Sequence, residues 1–252
     1  MDFSNKVVLV TGASGGIGRE IAKQFAEKNA RVVVHFNKNR EAAETTLNSL
    51  RGDGHHLLPA DLTRADECAE LTQNVIEKMS NIDVLVNNAG IHLYHRIAEV
   101  SFDEWQRSWE KTLSMNLVAA AHLTFCVVQQ MLKQEGGKIV NVSSRGAFRG
   151  EPDSPAYGAS KAGLNAMSQS LAKALAPKNI FLYCVAPSFV ETEMVADILN
   201  GPQGEEIRNQ SPLGRVAQPA DVARAVLLLA SEGTEYLTGS ILDVNGASYL
   251  RS

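Results

Sequence analysis

The chain has 252 residues, of which 44% are hydrophobic and 21% charged, and its formal net charge is −4. This is the composition of a globular chain long enough for one large core, and the lack of any Lys/Arg block or basic stripe excludes nucleic acid as an expected partner. Cys68, Cys126 and Cys184 are odd in number, far apart and without CxxC spacing, so they read as reduced thiols in a cytoplasmic setting, with no disulfide framework and no metal site.

The N-terminus offers only the apolar run Val7-Val8-Leu9-Val10, and later runs such as Ala225 to Ala230 are far short of the ~20 residues of a membrane span. Neither a targeting segment nor a membrane anchor is expected. The first run predicts a strand over 6–10. VTGASGGIG follows it directly and opens a helix with Ile21, Ala22, Phe25 and Ala26 on its apolar face. In that turn Gly12 permits a tight bend, Gly16 lets the backbone approach a pyrophosphate, and Gly18 lets helix and strand pack closely, while the helix N-terminus presents free N–H groups to anions.

Further strands are predicted at RVVVHF (31–36), HLLPA (56–60), DVLVN (83–87), KIVNV (138–142), IFLYCV (180–185) and SILDV (240–244). Helical patterns alternate with them, such as Cys68-Leu71-Val75-Met79 and Leu164-Met167-Leu171-Leu175. Continuous apolar strands interleaved with amphipathic helices predict an α/β fold. It is expected to be one doubly wound Rossmann domain over 1–252, with a seven-stranded, mostly parallel sheet and helices on both faces. In 187–215, Pro187, Gly201, Pro202, Gly204, Pro212 and Gly214 interrupt weak helical patterns, which predicts a mobile substrate lid over 189–215.

A dinucleotide is expected at the carboxyl edge of such a sheet. The second strand ends in Phe36-Asn37-Lys38-Asn39-Arg40, without the carboxylate that would hold a ribose 2′-hydroxyl, so NADP(H) is favoured over NAD(H). The competing reading is that Lys38 and Arg40 are solvated charges at the start of the next helix.

The glycine spacing T-G-x-x-x-G-x-G at Thr11 to Gly18, NNAG at 87–90, YGASK at 157–161, Ser144 thirteen residues before Tyr157, Asn116 between strands four and five, PSFVET and LTGSILDVNGA occur in one order along the chain. Together they resemble the short-chain dehydrogenase/reductase family, and within it the bacterial 3-oxoacyl-acyl-carrier-protein reductases. The resemblance implies an NAD(P)(H)-dependent oxidoreductase acting on CH–OH and C=O groups, with Asn116, Ser144, Tyr157 and Lys161 as catalytic residues. It places the cofactor on Gly12, Ser14, Gly15, Gly16, Ile17 and Gly18, on Phe36, Asn37 and Lys38, on Asp61-Leu62 at the adenine and on Asn88-Ala89-Gly90 at the ribose. Tyr157, Lys161, Pro187, Val190 and Thr192 complete the set. Expected partners are a small carbonyl or thioester substrate, acyl carrier protein as its candidate carrier, and three further copies of the chain in a homotetramer. Two departures stand out: Gly15 occupies a position often basic in NADP-preferring relatives, and Ser188 stands where glycine is usual after the proline.

On a helix Tyr157 and Lys161 share a face, and a neighbouring ammonium, together with the positive nicotinamide ring of an oxidised cofactor, should lower the phenol's pKa, making Tyr157 a general acid/base. Ser144 would polarise the substrate oxygen. An acylating Ser-Lys hydrolase lacks its G-x-S-x-G elbow here. A polyol, sugar or steroid-like alcohol dehydrogenase would use the same residues, and a silent dinucleotide sensor would need none of the four. His92 and His95 read as pocket-lining or surface histidines, and Arg145, Arg149 and Glu151 as cleft or exposed loop charges.

Overall fold

The computed structural model describes residues 1–251, with the side chain of Met194 outside the description. Seven strands form one sheet: β1 Val7–Val10, β2 Arg31–Phe36, β3 His56–Pro59, β4 Val84–Asn87, β5 Gly137–Val142, β6 Ile180–Pro187 and β7 Ile241–Val244. Their order is β3-β2-β1-β4-β5-β6-β7, and every pairing is parallel, as the seven-stranded doubly wound expectation has it.

Helices α1 Gly16–Glu27, α2 Arg40–Asn48 and α3 Ala65–Met79 follow β1, β2 and β3. Between β4 and β5 lie α4 Phe102–Leu113, a π turn at Ser114–Val118 and α5 Ala119–Lys133. The short α6 Gly146–Arg149 and the long α7 Pro155–Leu175 precede β6. After it come α8 Ala196–Asn200, α9 Gly204–Asn209 and α10 Pro219–Ala230.

The strands read as unbroken apolar runs because the sheet is buried on both faces. Val8, Val10, Val32, Val34, Val86 and Val140 pack with Ile21 and Phe25 of α1 and Val226 of α10. The alternate residues Val7, Leu9, Val33, Leu85, Ile139 and Leu182 pack with Leu71 and Val75 of α3 and Leu123 and Met131 of α5. Fully burying each such side chain contributes roughly 1.5–3 kcal/mol, so a one-residue slip of any strand would exchange its contacts on both faces.

Phe102–Lys133 is 32 residues of continuous helix and, among the described residues, the one stretch long and apolar enough to cross a membrane by length and composition. Here Ala119, Leu123, Val127 and Met131 lie in the core beneath the sheet, so one face of that apolar stretch is accounted for by packing.

Strand order reverses between β1 and β4, so the loops leaving those two strands diverge and open a crevice at the carboxyl edge. The glycine loop leaves β1, and NNAG ends β4. Segment 189–215 bends over this edge. Its backbone is tied to residue 217 by Glu191 N–H to Ala217 O (2.8 Å) and Ala217 N–H to Phe189 O (3.0 Å). Leu199 and Ile207 of the segment form a small separate core with Val216, which follows it.

Candidate active site

The glycine loop is shaped by contacts that tolerate no side chains. Gly12 (φ +62°) and Gly16 (φ +51°) lie in the left-handed region, where a Cβ is strained. A Cβ on Gly18 would collide with the carbonyl oxygen of Gly12 and lie 2.5 Å from Asn88 Nδ2. A Cβ on Gly16 would meet Thr192 Cγ2 at 3.3 Å, which places the first turn of the 189–215 segment directly over the loop. Helix α1 starts without a side-chain cap and without an acidic residue in its first turn, so its N–H groups are available to an anion. These features fit a dinucleotide's pyrophosphate.

Asn88 braces the loop from β4: its Nδ2 donates to Thr11 O (2.9 Å), and its own N–H donates to Thr11 Oγ1 (2.9 Å). Ala89 N–H donates to the same hydroxyl (3.0 Å). Arg19 reaches back from α1 to Ser14 O (2.7 Å), and Ile17 packs against the core.

His35, which sequence reasoning passed over, holds the loop from β2. Gly12 N–H donates to its Nδ1 at 3.1 Å, and its Nε2 lies 3.1 Å from Ala60 O, so the ring accepts at one nitrogen and donates at the other as a neutral imidazole. Burial drives its pKa down to about 4, opposed by the bond to Ala60. The available signal was a lone polar residue inside the apolar run RVVVHF, since a buried polar group must have partners.

At the adenosine end, Phe36 is 4% exposed and belongs to the core, not to the ligand surface. Arg40 is the first residue of α2 and pairs with Glu44 at 3.2 Å, while Asn39 caps that helix through Ala42 N–H (3.0 Å). Arg40 thus opens α2 as one half of an exposed ion pair. Asn37 and Lys38 are left exposed at the crevice. Asn37 and Asp61 line one small cavity, Leu62 is buried beneath, and Lys38 helps hold the Asp61 carboxyl below its usual range, behind the larger effect of the Thr63 hydroxyl.

Ser144 follows β5, and Tyr157 and Lys161 lie in the first two turns of α7, so both elements deliver them to the edge beside NNAG. Ser144 Oγ accepts from Gly146 N–H (3.0 Å), which leaves its proton to donate. Lys161 is 5% exposed, and its Nζ donates to Val142 O at 2.8 Å, 5.8 Å from the centre of the Tyr157 ring. A Cβ on Gly90 would stand 3.2 Å from Asn116 Oδ1 and 3.6 Å from Lys161 Nζ, so these three converge. The Asn116 amide spans Ile91, accepting from its N–H (2.8 Å) and donating to its carbonyl (2.9 Å), and sits in the π turn. Wide turns of this kind recur at functional sites because they disturb the regular carbonyl ladder.

The lowering expected of the Tyr157 phenol combines an ammonium with an oxidised nicotinamide ring, and the groups of the chain alone act the other way. The Tyr157 pKa is raised by burial, with the Ser144 hydroxyl drawing it down and the Glu151 carboxylate adding to the rise. Lys161, one of whose ammonium protons goes to the Val142 carbonyl, is itself brought down to about 8 by burial. The resting phenol is protonated.

Around this cluster, Arg145 is buried: its Nη1 donates to Ser248 Oγ (2.9 Å) and its Nη2 to Gln210 Oε1 (2.7 Å), joining the segment after Ser144 to the C-terminal stretch and to the residues over the edge. Arg149 is exposed and Glu151 half-buried. Pro187 is buried at the end of β6, Ser188 N–H bonds Val244 O (3.2 Å), Val190 is buried and Thr192 faces the loop. His95 is a buried helix cap, its Nε2 accepting from Ala156 N–H at 3.1 Å, whereas His92 lines the cleft. No group of three or more metal-ligating side chains occurs among the described residues.

The crevice, the uncapped glycine loop and the Ser–Tyr–Lys cluster beside it make the protein an NAD(P)-dependent oxidoreductase acting on CH–OH and C=O groups. More narrowly, the chain belongs to the short chain dehydrogenase family, whose model matches residues 6–203. It is 36% identical over 245 residues to the 3-oxoacyl-[acyl-carrier-protein] reductase FabG of Chlamydia trachomatis, covering 96% of each chain. It is 35% identical over 247 residues to the reductase of that name from Staphylococcus aureus, covering 97% of this chain and 98% of the relative. Nodulation protein G of Rhizobium meliloti is 39% identical over 248 residues, with 97% of each chain covered.

Proposed function

We propose that the protein reduces the ketone of 3-oxoacyl thioesters with NADPH, acyl carrier protein being the natural carrier of the thioester. The observation that carries this reading is the convergence of two hydroxyls at the sheet edge: the protonated phenol of Tyr157 and the Ser144 hydroxyl, which accepts from Gly146 N–H and keeps its own proton to donate. A bound nicotinamide supplies the hydride that the carbonyl carbon receives. The substrate oxygen accepts the Tyr157 proton as negative charge develops on it, and Ser144 holds and polarises that oxygen.

Lys161, beside Gly90 and Asn116, donates to the nicotinamide ribose and stabilises the phenolate left behind; the segment around Asn116 links its ammonium to water. The exposed pair Asn37 and Lys38 receives a 2′-phosphate. The free thiols fit a reducing, cytoplasmic setting. Val118, Phe125 and Leu132 are 41%, 67% and 40% exposed along α5 and the turn before it, an apolar stripe that assembly into a homotetramer would cover.

The test is NADPH oxidation with an acetoacetyl thioester, using wild type and Tyr157→Phe. Turnover by wild type and a loss of several orders of magnitude in the variant, with NADPH still bound, are expected. A variant that keeps more than roughly a tenth of kcat would place the acid elsewhere.

A further inference from the structure

His92, in the loop between β4 and α4, is a cleft group that the chemistry above leaves unused. Its ring meets Tyr157 edge-on, with centroids 4.7 Å apart at 85°, and meets Tyr94 in the same way at 4.9 Å and 88°. The side chain is half-buried, and neither ring nitrogen has a hydrogen-bond partner among the described residues.

The backbone around it is fixed from both ends. Upstream, the Asn116 amide grips Ile91 at its N–H (2.8 Å) and carbonyl (2.9 Å). Downstream, His95 Nδ1 lies 2.8 Å from Leu93 O, its N–H donates to Asp153 O (2.9 Å), and its Nε2 accepts from Ala156 N–H (3.1 Å) at the start of α7. The helix that carries Tyr157 thus also fixes the loop that carries His92. Burial, together with His95, moves the His92 pKa down against the pull of Asp153, so the ring is neutral, with one donor nitrogen and one acceptor.

An imidazole held rigidly in a cleft with both nitrogens unpaired is poised for a ligand, because partly desolvated polar groups gain most from a partner that arrives with the substrate. Two rings in direct contact serve oxygens only a few bonds apart in one small molecule. We propose that His92 contacts the substrate, forming a hydrogen bond to a second oxygen near the carbonyl that Tyr157 protonates, and so selects ketones with a neighbouring carbonyl or hydroxyl over plain ketones. For a 3-oxoacyl thioester that oxygen is the thioester carbonyl. The inference rests on Tyr157 acting at the reacting carbonyl.

The experiment compares wild type, His92→Phe, which keeps the edge-to-face contact without polar atoms, and His92→Gln, which restores a donor and an acceptor. The readout is the ratio of kcat/KM for acetoacetyl thioester to that for cyclohexanone, with NADPH oxidation monitored. In His92→Phe this ratio is expected to fall about 10- to 100-fold, mostly through KM, and His92→Gln should recover part of it. An unchanged ratio, whether both substrates lose equally or neither loses, overturns the proposal and leaves His92 as packing for Tyr157.

Calorimetric titration of acetoacetyl thioester into the Tyr157→Phe protein, with and without His92→Phe, tests the contact without turnover. A wild type that reduces neither ketone refutes the proposed function, and the titration still decides the contact: equal affinities sink it, a tenfold weaker one supports it.

Discussion

Lowering the pH should detach the glycine loop from β2 by way of His35. Its imidazole is 2% exposed, accepts from Gly12 N–H at 3.1 Å and is shifted from 6.5 to about 4. A proton on Nδ1 would remove that acceptor and put an unpaired charge in the core. The folded pKa lies below the unfolded one, so the unfolded chain binds the proton first. This contribution to stability is complete above pH 6.5 and is lost as the pH falls toward 4. With ~1.4 kcal/mol per unit, a shift from 6.5 to about 4 withdraws about 3 kcal/mol by pH 4. Urea unfolding of wild type and His35→Asn at pH 7.5, 5.5 and 4 isolates it, because the carboxylates titrate in both proteins. Asparagine keeps an acceptor for Gly12 but has no proton to gain. The stability advantage of wild type should shrink by about 3 kcal/mol across that range. Parallel profiles within ~0.5 kcal/mol would refute the buried neutral imidazole and with it the lock on Gly12.

Lys161→Ala should lower kcat and weaken NADPH binding together, measured by steady-state kinetics and by fluorescence titration; unchanged cofactor affinity would contradict its ribose role. Wild-type kcat/KM for reduction should hold level near pH 7 and decline above about 8, where the Lys161 ammonium is lost. Asn37→Asp should abolish or reverse a preference for NADPH over NADH of at least roughly tenfold, about 1.4 kcal/mol. Asn37 is the better site for this test than Phe36, whose burial makes an aspartate there destabilising. Light scattering at micromolar concentration should give a tetramer for wild type and smaller species for Phe125→Glu; monomeric wild type would dismiss the assembly.

The strands were legible because a parallel sheet buried on both faces needs unbroken apolar runs, and Val7 to Val10 or Ile180 to Val185 admit no other reading. The glycine loop was legible for a similar reason: the positive φ of Gly12 and the collision awaiting a side chain at Gly18 leave few alternatives. What escaped depends on contacts remote in sequence. Phe36 ends an apolar strand beside a polar loop, and only the packing shows which side claims it. The π turn at Ser114–Val118 contains Asn116, whose amide bonds Ile91 twenty-five residues earlier, and no local pattern announces that grip. Residues 189–215 looked irregular because each helix there is short, yet Leu199 and Ile207 form a small separate core with Val216, which follows them.

The Tyr157–Lys161 pair shows how far spacing alone carries an argument about chemistry. Four residues on a helix put two side chains on one face but do not say which acceptor the longer one reaches, and here Nζ finds the carbonyl of Val142 at 2.8 Å. A lowered phenol pKa would suit alcohol oxidation, where Tyr157 must take a proton. A phenol raised by burial keeps its proton near neutral pH but is a weaker acid, so the phenolate it leaves on donating needs its neighbours' stabilisation. Ser144 accepts from Gly146 N–H through one lone pair, and its hydroxyl can still donate or accept at the substrate oxygen or Tyr157. Two hydroxyls at one edge, with an ammonium behind them, stabilise negative charge on the substrate oxygen in the transition state that reduction and oxidation share.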